Sequence, residues 1–314
     1  MNLKKPKFWD QKKPNILAYL LLPVSYLFQI LKLFKIKTQL KNSNIKTIVI
    51  GNIYLGGTGK TSLSIKINEI LIKRKIKACF VKKFYLNQYD EQKLLESRGK
   101  LFTSPNRIEA INLAENEGYE VAILDDGLQD NSIKHDLKFV CFNNINWIGN
   151  GLTIPAGPLR ENISNLKNYK HVFLNGNLEN LDDIKRYLYK INPNLNLHVG
   201  KYVPLDIKKF NKDINYLVFS GIGNHESFIS MLKEYKLNII KDIEFPDHYK
   251  YKSYDIDKIL KLSKDLNCQI ITTEKDYFRL NNEKIDNINF IRSELKILDE
   301  EKLISTILKI NENN

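Results

Sequence analysis

Residues 51–61 read Gly51-Asn52-Ile53-Tyr54-Leu55-Gly56-Gly57-Thr58-Gly59-Lys60-Thr61. A short β-rich run, Thr47-Ile48-Val49-Ile50, precedes them, and an amphipathic stretch from Ser62 to about Lys77 follows. Strand, glycine-rich loop, Gly-Lys-Thr and helix, in that order, predict a loop that cradles a nucleoside triphosphate. Backbone N–H groups and the positive end of the helix dipole then face the phosphates. Lys60 reaches the β- and γ-phosphates, and the Thr61 hydroxyl serves Mg2+. Nucleotide contacts are expected along Tyr54, Leu55, Gly56, Gly57, Thr58, Gly59, Lys60 and Thr61. Tyr54 stands where the strict pattern has glycine. The loop says that a nucleotide is handled, and leaves open what is done with it.

A second acidic element supports the loop. Glu120-Val121-Ala122-Ile123-Leu124-Asp125-Asp126 reads as a buried strand ending in two carboxylates. Downstream of a phosphate loop, one such carboxylate binds Mg2+ directly or through water, and the other orients water or ligand. Asp125-Asp126-Gly127 is also an ordinary turn sequence, so the pairing with the loop decides the reading. Pro155-Ala156-Gly157-Pro158-Leu159-Arg160-Glu161 reads as a rigid site wall ending in a cation beside a carboxylate. Asn87 to Gln92 is polar and reads as a loop.

The 314 residues suffice for two domains with real cores, and 43% hydrophobic with 27% charged residues excludes a disordered chain. The net charge of +13 comes from lysines scattered along the whole chain. No nucleic-acid module accompanies it, so no nucleic-acid partner is expected. Cys79, Cys141 and Cys268 lie far apart, which argues against zinc or a disulfide framework and fits a reducing compartment. Strand-like runs at His171 to Leu174, Leu217 to Ser220 and Gln269 to Thr273 alternate with helical runs at Ile229 to Leu237 and Ile256 to Leu266. That alternation predicts helix-covered parallel sheets.

Ile16 to Phe34 is mostly apolar, with Ile16, Leu17, Leu20, Leu21, Val24, Leu27, Phe28, Leu31 and Phe34 at helical spacing. Pro23 should kink or break the run. Phe8, Trp9, Lys12, Lys13, Lys35 and Lys37 crowd its ends, which predicts an interfacial helix lying on an anionic membrane rather than spanning it. The alternative is a helix packed on the protein's own core.

Taken in order, the glycine-rich loop, Asp125-Asp126-Gly127-Leu128-Gln129, Pro155 to Glu161, Ser220-Gly221-Ile222-Gly223-Asn224, Asp247-His248-Tyr249 and Thr272-Thr273-Glu274-Lys275-Asp276 resemble the tetraacyldisaccharide 4'-kinase family of Gram-negative bacteria. The resemblance covers nearly the whole chain. It implies an α/β fold: a parallel-sheet core of the P-loop NTPase kind, a second, smaller α/β domain, and an N-terminal membrane-associated helix. The corresponding segments are 1–40 for the helix, 41–165 for the kinase core and 166–314 for the C-terminal domain. It implies ATP-dependent phosphorylation of the 4'-hydroxyl of a tetraacylated glucosamine disaccharide 1-phosphate, at the cytoplasmic face of the inner membrane, by a protein expected to be a monomer.

The resemblance assigns Asp90 and His248 to the sugar hydroxyl, with Asp125 and Asp126 completing the catalytic set. Mg2+ would be met by Thr61, Asp126, Gln129 and Glu161. His135, His171, His198 and His225 are read as structural. This chain departs from the family pattern in one segment. Lys82-Lys83-Phe84-Tyr85 replaces the usual Ser-Arg-Gly-Tyr, Asp90 follows after only a few residues, and Tyr89 and Gln92 stand where glycine and proline flank the Asp-Glu pair. Two other readings remain. A nucleotide switch would carry a guanine-reading Asn-Lys-x-Asp phrase, and Thr273-Glu274-Lys275-Asp276 is the nearest string. A degenerate membrane-bound nucleotide-binding homologue would draw its support from the shortened segment before Asp90.

Overall fold

The computed structural model describes residues 5–33, 43–84, 89–130, 132–280 and 285–310, with the side chains of Tyr89 and Asp90 outside the description. Lys35, Lys37, Tyr85 and Asn87 also lie outside the described residues. The chain divides into two compact units, a larger one of residues 5–200 and 297–314 and a smaller one of residues 201–296.

The larger unit opens with helix α1 (Ile16–Leu33). It continues through β1 (Lys46–Gly51), α2 (Lys60–Lys73), β2 (Ala78–Lys83), α3 (Tyr89–Glu96), β3 (Leu101–Ser104), α4 (Arg107–Asn116), β4 (Val121–Asp125), β5 (Leu137–Asn143), β6 (His171–Asn175), α5 (Leu181–Ile191) and β7 (Asn196–Pro204). The smaller unit holds β8 (Asn215–Ser220), α6 (His225–Glu234), β9 (Asn238–Glu244), α7 (Ser253–Asp265), β10 (Gln269–Thr273), α8 (Glu274–Tyr277) and β11 (Ile288–Ile291). Strand β12 (Ser293–Ile297) then leads back to the larger unit and α9 (Glu300–Leu308).

Among the described residues, eight strands form the first sheet, in the order β12-β7-β6-β5-β1-β4-β2-β3, and four form the second, in the order β11-β10-β8-β9. Strand β1 runs parallel between β4 and β5, with Val49 opposite Leu124 on one side and Lys138 on the other. Its Ile48, Val49 and Ile50 are wholly buried, as a parallel strand covered on both faces requires. Both the glycine loop after β1 and the aspartates at the end of β4 therefore emerge at the carboxyl ends of adjacent strands. That is where open α/β sheets bind ligands.

The boundary expected at 165/166 lies instead at 200/201. Val172, Phe173 and Leu174 of β6 are fully buried and pair in register with β5, so the segment after 165 extends the first sheet. The chain also returns to the larger unit from residue 297, leaving 201–296 as the smaller one. The stretch read as a polar loop, Asn87 to Gln92, is helical from Tyr89 onward. Gln92 and Leu95 are buried, and a window that short holds too few turns to display its period.

Pro23 does not break α1, which runs unbroken through it. The helix packs by one narrow seam, with Ala18 and Ser25 buried, and exposes Ile16 (77%), Leu20 (69%) and Tyr26 (66%). The Ser25 hydroxyl donates to the Thr153 carbonyl (2.9 Å) and accepts from the Ala156 N–H (3.0 Å), fastening the seam to the proline-rich loop. No helix among the described residues is long and apolar enough to cross a membrane.

His171 of β6 and His198 of β7 stack with ring centres 5.7 Å apart, each against Phe139. Neither nitrogen of His198 has a hydrogen-bond partner, nor does Nδ1 of His171. Burial and nearby cationic charge push both imidazoles from 6.5 down to about 4. A folded pKa below the unfolded one means that the unfolded chain takes up protons first as pH falls. Stability should thus decline from pH 6.5 towards 4, by about 5 kcal/mol for the pair at pH 4.5. Urea midpoints at pH 7 and 4.5 check this against a His171→Phe/His198→Phe double variant. If the wild type loses no more than the double variant, the pair is not the acid-sensitive element.

Candidate active site

The loop after β1 is shaped by close approaches. A side chain at Gly51 would bring its Cβ to 2.4 Å from the Leu128 Cβ, so glycine is required there. Asn52, fully buried, donates from Nδ2 to the carbonyls of Tyr54 (2.6 Å) and Gly56 (3.2 Å) and curls the loop onto itself. Gly59 has φ 78°, in the left-handed region where glycine is favoured, and is the N-cap of α2. No side chain caps that helix end, so its first N–H groups are directed at the loop's interior, as an anion site needs. The Thr58 hydroxyl is buried without a hydrogen-bond partner, an orphan that a phosphate oxygen would satisfy. Behind the loop, buried Asn175 donates to the Thr58 carbonyl (2.7 Å) and accepts from Asn143 (2.9 Å), bracing it from β6 and β5.

Tyr54 does not present its ring to the phosphate side. It is 2% exposed, its hydroxyl donates to Asp10 (2.5 Å) and meets Lys5, and its backbone bridges to Leu159. A large side chain is tolerated at this loop position because the N-terminal segment receives it.

The two aspartates have separate jobs. Asp125 is fully buried and accepts from Thr61 Oγ1 (3.3 Å), Ser64 Oγ (3.2 Å) and Lys82 Nζ (2.7 Å). Asp126 turns back toward the loop with φ 57°, a strained value for a non-glycine residue, held by its N–H on the Ile50 carbonyl (2.8 Å). Its carboxylate accepts from Arg160 Nη1 at 3.0 Å and lies 3.9 Å from Lys60 Nζ. Burial would raise its pKa, and the Lys60 and Arg160 charges outweigh that, bringing it from 3.8 down to about 2. Arg160 also donates to Gln129 Oε1 (3.1 Å), while Gln129 Nε2 donates to the Asn52 carbonyl (2.9 Å). The proline-rich segment lies along the loop, with the Leu55 N–H on the Pro158 carbonyl (2.8 Å) and the Arg160 N–H on the Ile53 carbonyl (2.6 Å).

Thr61, Asp126 and Gln129 are thus brought together around the loop, whereas Glu161 accepts from Asn165 (2.9 Å) and Tyr169 (3.2 Å). Among the described residues no cluster of three or more His, Cys, Asp or Glu forms a metal cage. One hydroxyl, one or two carboxylates and phosphate oxygens are a donor set that suits Mg2+.

In the smaller unit the later motifs converge on one peptide. The Gly221 N–H donates to Asp276 (3.1 Å), and the Gly221 carbonyl accepts from the His248 N–H (3.1 Å) and Arg279 Nη1 (2.7 Å). His248 has φ 58° and lies 3.7 Å from the Asp247 carboxylate. Asp276 is wholly buried, so it cannot read a nucleobase and the nucleotide-switch phrase is absent in function as well as in spelling. His225 bonds Ser220 (2.7 Å) and Asp242 (3.1 Å), but Ser220 is fully buried and sealed from any substrate, which leaves this triplet structural.

A family model for tetraacyldisaccharide-1-P 4'-kinase matches residues 17–93 and 87–312. This chain belongs to that kinase family. A relative from Pelagibacter ubique (strain HTCC1062), named tetraacyldisaccharide 4'-kinase, is 59% identical over 314 residues, with both chains covered in full. One of the same name from Rickettsia canadensis (strain McKiel) is 36% identical, covering 98% of each chain. The solved apo-form LpxK of Aquifex aeolicus, described as in complex with ATP, has the same fold, with TM-score 0.66 and 22% identity over 94% of this chain and 99% of that one.

Within the family frame, residues to which the sequence gives no role stand out: Ser64, Asn175 and Glu91. Ser64 lies one turn beyond Lys60 on α2, a spacing that could have flagged it. Asn175 acts through tertiary contacts that leave no local signal, and Asp276, quoted above only as part of a motif, gains its partners Gly221, Tyr251 and Arg279 from the fold. Asp90 stands in the first turn of α3 in the larger unit, and its side chain lies outside the described residues; His248 belongs to the smaller unit.

Proposed function

We propose that this chain transfers the γ-phosphoryl group of ATP to the 4'-hydroxyl of a tetraacylated glucosamine disaccharide 1-phosphate. The observation that supports the reading is the loop geometry, an α2 N-terminus with no side-chain cap and Lys60 3.9 Å from Asp126, inside a chain that matches this kinase family almost end to end. The α2 N-terminus and Lys60 bind the triphosphate, and Arg160 faces the same charge. Thr61 and Asp126 would hold Mg2+, with Asp125 orienting the Thr61 hydroxyl. When bound, the ion neutralises charge on the phosphates.

In this reading Asp90 serves as the base for the sugar hydroxyl, and His248, in its strained turn, is the second residue assigned to that step. Phosphoryl transfer asks for positioning and charge neutralisation more than for covalent chemistry, so this division of labour is sufficient. The apolar outer face of α1, with exposed Lys12 and Lys13 ahead of it, rests on the inner membrane's cytoplasmic face and keeps the enzyme where its acylated substrate lies. The enzyme works as a monomer.

Purified protein, ATP, Mg2+ and the tetraacyl disaccharide 1-phosphate in detergent should give labelled bisphosphorylated product. ATP binding without transfer to this acceptor would overturn the reading in favour of a degenerate homologue.

A further inference from the structure

The segment that departs from the family pattern contains a buried cation. Lys82, at 2% exposure, places Nζ 2.7 Å from Asp125 Oδ2 and 2.6 Å from Glu91 Oε2. An ammonium so far from water is tolerated only when its protons are taken up by charged acceptors. Burial would lower its pKa, and the two carboxylates reverse that and raise it, so the ion stays charged.

The two acceptors are not ordinary partners. Asp125 precedes Asp126 on the donor side, and its Oδ2 is the oxygen that also receives the Thr61 hydroxyl. Glu91 follows Asp90 in the first turn of α3. That helix has eight residues, too few to be stable alone, and must be fixed by tertiary contacts. We infer that Lys82 is a positioning residue that ties the first turn of the acceptor-side helix α3 to the donor-side aspartate, setting the backbone of Asp90 relative to the phosphate loop. The inference rests on the reading of Asp90 as the acceptor-side base. A compact ammonium suits the task because it can point separate donors at two carboxylates on different elements. It takes over, in this chain, a fixing role for a helix whose lead-in lacks the family's Ser-Arg-Gly-Tyr and flanking Gly and Pro.

The test uses full-length Glu91→Gln, which loosens the acceptor end of the tie and leaves Lys82 on Asp125, beside Asp90→Asn. Turnover with the lipid acceptor, ATP affinity and thermal unfolding are measured for each. Glu91→Gln should lower kcat by about 100-fold, the scale expected when a reacting group is misplaced by about 1 Å, with ATP affinity within about twofold of wild type. Lys82→Met combined with Glu91→Gln should lower kcat by far less than the product of the two single losses, because both cut the same tie. Wild-type kcat in Glu91→Gln while Asp90→Asn is inactive overturns the tie and leaves the base assignment standing. Full turnover in Asp90→Asn overturns the base assignment and the inference with it. Parallel loss of ATP affinity and kcat in Glu91→Gln also overturns it, since that is the mark of general disruption. If Glu91→Gln does not fold, Glu91→Asp, which keeps the charge at shorter reach, is judged by the same outcomes.

Discussion

Lys60→Met is expected to lower phosphoryl-transfer turnover by about 10²–10³-fold, the cost of removing one preorganised charge from a transition state. Lys60 is the first residue of α2, and its ammonium lies 3.9 Å from Asp126. A triphosphate in the loop would offer that ammonium a denser negative charge. The side chain is only partly exposed, at 15%, but its pair with Asp126 is long, so its loss should change folding stability by less than about 1 kcal/mol. Activity and stability are therefore expected to separate cleanly. Single-turnover transfer of labelled phosphate, read beside thermal unfolding, checks both halves. Turnover within about threefold of wild type would mean that the loop does not hold the reacting phosphates, since a donor aimed at developing charge is worth far more than that.

Much of the donor half is legible in the sequence because its chemistry is local. Gly51 to Thr61 must be a loop with specific backbone freedom, and the strand that ends in Asp125 and Asp126 is apolar up to its last two residues. What escapes is tertiary. Lys82 is the last residue but one of a buried strand and reads as part of an ordinary strand end; only the fold shows it facing Asp125 and Glu91. Strand β9 goes unread because most of its residues are exposed at a sheet edge, so no alternation of apolar and polar residues marks it. The division at 200/201 leaves no mark in the sequence for the opposite reason: β6 is as apolar as any core strand, and nothing in its composition says which sheet it joins. Tyr54 departs from the strict glycine pattern, and only the fold shows that its hydroxyl is received by Asp10 and Lys5.

Asp276→Ala is expected to destabilise the smaller unit by about 3–5 kcal/mol, the cost of stripping a buried charge network of one partner. The Asp276 carboxylate is fully buried and accepts from the Gly221 N–H, Tyr251 Oη (3.0 Å), Thr273 Oγ1 (2.7 Å) and Arg279 (3.0 Å). Truncation removes the acceptor these donors share and the counter-charge of Arg279, whose guanidinium is only 13% exposed and keeps the Gly221 carbonyl. The consequence reaches His248, proposed above to serve the acceptor hydroxyl, through Gly221, whose carbonyl holds the His248 N–H. That turn is strained at φ 58°, and strain persists only while its surroundings enforce it. Asp276→Asn is the informative contrast: it keeps an acceptor oxygen for Gly221 but drops the charge opposite Arg279, so it should lose less stability than alanine. Burial first, and then the Asp276 charge, raise the Tyr251 pKa, so removing the carboxylate should bring the phenol back toward its ordinary range. Urea unfolding and ultraviolet titration of the phenol measure the two effects independently. A stability loss below about 1 kcal/mol for Asp276→Ala would place the network outside the determinants of the fold, because a desolvated, charge-paired aspartate cannot be removed that cheaply.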